Sequence, residues 1–94
     1  MIRVIIERQI AEDLEQPYQQ AVRQMIQYTV RVPGFLSGET FRDIRNPRHR
    51  YVISNWRSLE DFERWWHSAD RKRMMTDLQP FLDGPEKVHI LEHA

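Results

Sequence analysis

Three tryptophans, Trp56, Trp65 and Trp66, fall within eleven residues, with Tyr51, Asn55 and His67 close by. An indole is a broad flat wall with one N–H donor, the kind of surface against which an apolar ring packs. Tyrosine, asparagine and histidine add the few hydrogen-bonding groups that orient a ligand, and histidine also exchanges a proton near neutral pH. Tyr51 to Ser68 is therefore the expected place for a small aromatic ligand. Other chemistries lack their residues. The chain has no cysteine, so it has neither disulfide nor thiolate. His89 and His93 stand four apart on an expected strand, about 13 Å along it, too far for one ion. No metal site is expected. No Gly-rich phosphate loop, nucleophile elbow or paired carboxylates can be read in the chain.

The elements that position these residues follow from periodicity. Ile2 to Ile10 reads as a first strand, with Val4, Ile6 and Ile10 on one face and Ile5 on the other. Pro17 suits the first turn of a helix whose stripe is Tyr18, Ala21, Val22, Met25, Ile26 and Thr29. Pro33-Gly34 stops it. Phe35 to Ile44 is a second strand, with Phe35, Ser37, Glu39 and Phe41 alternating against Leu36, Gly38 and Thr40. Gly38 suggests a bulge. After a turn at Arg45 to His49, Arg50 to Trp56 is the third strand. Tyr51 and Asn55 share one of its faces; Val52, Ser54 and Trp56 share the other.

Ser58, three residues before Asp61, has the spacing of a capping box. Leu59, Phe62 and Trp66 form the stripe of the helix it starts, which places Trp66 in the core and Trp65 on the flank, where its ring can cap a pocket edge. His67 points away, either solvated or a proton acceptor at a pocket mouth. The helix breaks near Ser68-Ala69 and resumes with Met74, Met75, Leu78 and Phe81 on one side; Pro80 frays its end. Lys87 to Glu92 is the last strand.

The order β-α-β-β-α-β is the ferredoxin-like arrangement, an α+β fold with a four-stranded antiparallel sheet and helices on one face. One such domain spans residues 1–94. Strands one and three are apolar on both faces, so the uncovered face calls for a partner, and a second copy is the simplest supplier. A homodimer through the open sheet face is expected. Fourteen basic and fourteen acidic residues cancel, which argues against a dedicated nucleic-acid binder. No apolar run is long enough to span a bilayer, and the start reads as a strand rather than a leader. No nucleic acid or membrane partner is expected, and a cytoplasmic location is. The cluster Arg42, Arg45, Arg48, His49 and Arg50 reads as a solvated turn whose charges discourage edge pairing, and Arg71-Lys-Arg73 as the wet face of a helix.

Three stretches resemble the antibiotic biosynthesis monooxygenase family of the dimeric α+β barrel superfamily. Val32-Pro-Gly-Phe-Leu-Ser37 resembles its helix-to-strand junction, Trp56-Arg-Ser58 the Trp-x-Ser that ends its third strand, and Phe62 to Ser68 the aromatic helix that follows. The resemblance implies a fold that pairs into a dimeric barrel. It also implies a monooxygenase without cofactor, acting on a quinol-like or polycyclic aromatic substrate. Trp56 matches the tryptophan that matters in the aromatic-polyketide oxygenases. Their asparagine four residues earlier is Val52 here, and their tyrosine six residues later is Phe62. In the haem-degrading relatives an Asn, a Trp and a His form the set. Trp65 matches the Trp, whereas Glu7 stands at the Asn and Met75 falls near the His. Both polar sets are incomplete. This leaves two alternatives: a non-catalytic dimeric small-molecule-binding protein, and a haem-binding or haem-degrading relative with His67 as an axial ligand. The expected site, on Trp56's face of the sheet, is Trp56, Trp65 and His67 for catalysis and Val52, Ser54, Phe62, Met74 and Leu78 for substrate.

Overall fold

The computed structural model describes residues 1–94. Strand β1 (Ile2–Gln9) leads to helix α1 (Glu15–Thr29), then β2 (Phe35–Arg42) and β3 (His49–Trp56). Helices α2 (Leu59–Trp66) and α3 (Ala69–Leu78) follow, then a 3-10 turn (Gln79–Phe81) and β4 (Lys87–Leu91). The sheet has the order β2-β3-β1-β4 with every pair antiparallel. This is the ferredoxin-like α+β arrangement. Alternation along β1 buries Val4, Ile6 and Ile10 beneath the helices, together with Tyr18, Val22 and Met25 of α1 and Phe62 and Trp65 of α2. No helix is long and apolar enough to cross a membrane.

Serines time the second helical region. Ser58 Oγ accepts from the Asp61 backbone N–H and donates to the Asp61 carboxylate, so the expected cap at the start of α2 is present. Ser68 Oγ donates to Trp65 O and accepts from Arg71 N, closing α2 and opening α3 with one side chain. The stretches Val32–Ser37 and Trp56–Ser58 meet in space. Arg57 N donates to Gly34 O at 2.8 Å. Gly34 has a φ of 91°, and a Cβ there would overlap the Asp61 side chain. Only glycine suits that position.

Four expectations change. The irregularity in β2 lies at Leu36, not Gly38: Phe35 pairs with Trp56 and Ser37 with Asn55, so Leu36 is the extra residue. One inserted residue inverts the alternation, which puts Phe35 with Gly38 and Thr40 on the helix-covered face instead of with Ser37 and Glu39. The strand ends at Arg42 rather than Ile44, because the Asp43 carboxylate accepts from Arg45 N and Asn46 N and turns the chain. Trp65, not Trp66, is the fully buried indole of α2, since it stacks on Tyr28 of α1 at 5.6 Å; Leu59 stays 44% exposed. Arg71 is 7% exposed rather than on a wet face.

Candidate functional site

A cavity of about 220 Å³ lies between the helices and the sheet. Its floor is Ile6 of β1, Gly38 and Thr40 of β2, and Val52, Ser54 and Trp56 of β3; its roof comes from α1 and α2. Phe35, Trp56, Phe62 and Trp66 form a continuous aromatic run, with successive ring centroids 5.5, 5.7 and 5.6 Å apart. The first two contacts are edge-to-face, which suits the quadrupoles of the rings and fixes Trp56 from both sides. Ligand pockets for drug-sized molecules run to roughly 300–1,000 Å³. This smaller cavity suits one or two fused rings.

Trp56 is 1% exposed, and its Nε1 donates to Ser54 Oγ at 3.0 Å. The two residues share the strand face by i, i+2 spacing. That bond uses the indole donor and leaves the Ser54 hydroxyl hydrogen as the polar handle on this wall.

Charge enters the cavity from β1 and α3. Arg8 and Arg71 both border it, and both are almost fully buried, Arg8 at 3%. A single carboxylate, Glu86, holds them: Arg8 Nε donates to Oε2 at 2.8 Å, and Arg71 Nη2 donates to Oε1 at 2.9 Å and Oε2 at 3.2 Å. Arg8 Nη1 also reaches Tyr18 Oη, and the Arg71 guanidinium lies over the Trp66 ring, 3.6 Å from its centroid. Burial pushes Glu86 up, but the charges and hydrogen bonds of Arg8 and Arg71 together outweigh it and hold the carboxyl below its usual range. Burial pulls Arg71 down, against the opposing pull of Glu86. Both arginines remain cations at neutral pH, as guanidinium requires.

The structure brings together Trp56, Trp65, Val52, Ser54 and Phe62 on this cavity. It does not bring the other three. His67 is the exposed C-terminal cap of α2, so no imidazole lines the cavity. Met74 packs half-buried against the core, and Leu78 is fully buried within it, both outside the cavity lining. Phe35, Arg8 and Arg71 are lining residues that sequence reasoning missed. Arg8 had a signal: it shares the face of Val4, Ile6 and Ile10, where a charge must find a partner. Arg71 had none locally, because its partner Glu86 is fifteen residues away and after the helix. No group of three or more His, Cys, Asp or Glu side chains is arranged to hold a metal.

A model of the antibiotic biosynthesis monooxygenase family matches residues 1–77. No curated protein matches the chain in sequence. Among solved structures, a conserved protein from Methanosarcina mazei Go1 is similar at a TM-score of 0.91 and 18% identity, over 99% of this chain and 92% of that one. An antibiotic biosynthesis monooxygenase is similar at 0.90 and 17% identity, over 100% and 99%. SnoaB, a cofactor-independent oxygenase from Streptomyces nogalater, is similar at 0.87 and 12% identity, over 99% and 92%. At these identities the structural likeness carries the fold alone.

Proposed function

Because the chain belongs to the antibiotic biosynthesis monooxygenase family, we propose that it is a cofactor-independent monooxygenase of a one- or two-ring quinol-like compound. The observation that carries this reading is the aromatic-walled cavity with the hydrogen-bonded Ser54–Trp56 pair on its wall. Oxygen reacts directly with an electron-rich ring once the ring is ionised. The protein's task is then to favour the anion and keep bulk water away. A quinol supplies all four electrons that dioxygen takes up. One oxygen atom enters the quinone product and the other leaves as water, so no external reductant is needed.

Proton loss has a physical account in this cavity. No imidazole borders it, and Glu39, its one carboxylate, is solvent-exposed and opposite Ile53 of β3. The buried cations Arg8 and Arg71 instead favour the anion of a bound phenol and lower its pKa, and the proton departs to water at the mouth. The absence of a buried base also favours the second reading, a non-catalytic protein that binds a ring without oxidising it. In either case the working unit is a homodimer closed through the open sheet face, where Ile5 and Ile53 oppose each other at the centre.

Oxygen uptake by the metal-free protein, with chelator present, tests the reading on one- and two-ring quinols. Turnover above spontaneous autoxidation is expected. Trp56→Ala is a poor probe, because removing a buried indole costs about 3–5 kcal/mol of stability. Trp56→Phe keeps a ring between Phe35 and Phe62 but loses the bond to Ser54. That bond orients the Ser54 hydroxyl, the polar handle on the ligand, so its loss should lower kcat/KM by about tenfold, or roughly 1.4 kcal/mol. Unchanged kcat/KM would remove Trp56 from the mechanism. No uptake with any quinol, alongside retained ring binding, would leave the binding protein.

A further inference from the structure

Two guanidiniums on the wall of a mostly apolar cavity share one carboxylate, which lies behind that wall. The cluster therefore carries a surplus positive charge, an unfavourable thing to bury without a partner. Each guanidinium has five N–H donors. Glu86 and Tyr18 engage only part of the Arg8 fork, and Glu86 engages only Nη2 of Arg71. No fully enclosed side-chain nitrogen or oxygen lacks a partner, so the spare N–H groups reach open space. Both residues border the cavity, and the only other charged residue on its lining, Glu39, is exposed. The charge has no counterion inside the protein.

We infer that the cavity selects ring compounds bearing a carboxylate, which docks on the free donors of Arg8 and Arg71 while the ring packs among the tryptophans. A planar carboxylate matches the guanidinium fork, and in an apolar enclosure such charge-assisted bonds are strong. Glu86 is the positioning residue. It holds β1 and α3 together through the two arginines and leaves one unit of charge for the ligand. Its carboxylate stays ionised at neutral pH because those arginines hold its pKa low. The inference rests on the cavity being the ligand site of the proposed function, and it adds the ligand's acidic substituent.

Binding rather than turnover tests it. Isothermal titration calorimetry on the wild-type protein compares 2-naphthoate with 2-naphthamide, which has the same shape and no charge. The carboxylate should bind about tenfold more tightly or better, the worth of one charge-assisted hydrogen bond. The preference should fall below about twofold in Arg71→Gln or Arg8→Gln, since each removes the surplus charge. Equal binding of the two compounds by the wild type overturns the inference and leaves the cavity as a ring site. A preference that survives in both variants overturns it too. If neither compound binds, the inference falls together with the cavity's role in the proposed function.

Discussion

The two faces of this sheet treat polarity in opposite ways. Under the helices, polar groups are few and every enclosed one is partnered: Arg8 and Arg71 on Glu86, and Trp56 on Ser54. On the open face polar and apolar groups alternate in half-exposed rows. Ile5 and Ile53 sit at the middle, and around them Arg3 donates to Asn55, Asn55 to Ser37, and both His49 and His89 bond Glu7. The covered face concentrates charge at one point beside a cavity, where low dielectric makes it decisive. The open face has an apolar centre with a polar rim, the anatomy of a protein interface. The difference is what supports the proposed division of labour, a small molecule under the helices and a second subunit on the open face.

The strongest way to break this contrast is Glu86→Gln. It leaves two buried guanidiniums without a counter-charge, and removing one partner of a buried ion pair costs about 3–5 kcal/mol. A urea melt should show that loss. The sign of the pH effect follows from the same residue. A carboxyl held below its unfolded pKa stabilises the fold above the unfolded value, and that stability disappears as pH falls through the folded value. Wild-type stability should therefore decline on acidification through and below the carboxylate range, and Glu86→Gln should flatten that decline. An equally steep acid limb in the variant would show that the cluster contributes no linkage.

Next in size is Gly34→Ala. Its φ of 91° is strained for any residue with a Cβ, and that Cβ would meet Asp61. A loss on the order of 2 kcal/mol is expected, visible as a lower urea midpoint. The three charge-assisted partners of Asp61 (Ser58, Arg57 and Arg64) would be displaced with it. Gly34 thus reaches the cavity indirectly, through the start of α2 and the placement of Phe62 and Trp65.

The legible parts of the chain were those governed by short periods. Strand alternation placed Val52, Ser54 and Trp56 on one face, and Ser58 announced the start of α2, whereas Ser68 was legible only as a break and not as the cap that opens α3. What escaped depended on tertiary partners. The bulge at Leu36 inverted the expected face of Phe35, and nothing in the sequence distinguishes Leu36 from its neighbours as the extra residue. Trp65 outranked Trp66 in burial because of Tyr28, contributed by another helix. Arg71 looked like a solvated residue because Arg71-Lys-Arg73 is locally all basic, and only the return of the chain at Glu86 buries it. His67 carried a suggestive residue type beside the aromatics, yet it caps α2 in solvent. Proximity in sequence was a poor guide to which polar group enters the cavity.

On the open face, Ile53→Glu should separate the proposed dimer while leaving each subunit folded, because its side chain is half-buried at the centre of that face and outside the helix-covered core. Sedimentation should show monomer for the variant and dimer for the wild type; a dimeric variant would move the interface elsewhere. Glu7→Gln should have the smallest effect. Glu7 is held below its usual pKa by hydrogen bonds first from His89 and then from His49, so its contribution is present above the carboxylate range and fades below it. Exposure screens these bonds, and the monomer's acid limb should barely change in the variant. In a dimer the same carboxylate would be desolvated between two sheets, and its loss would weaken association more than folding. A concentration series at neutral pH separates these effects: a raised dissociation constant with an unchanged urea midpoint assigns the Glu7 network to the interface, whereas a midpoint change alone confines it to the subunit.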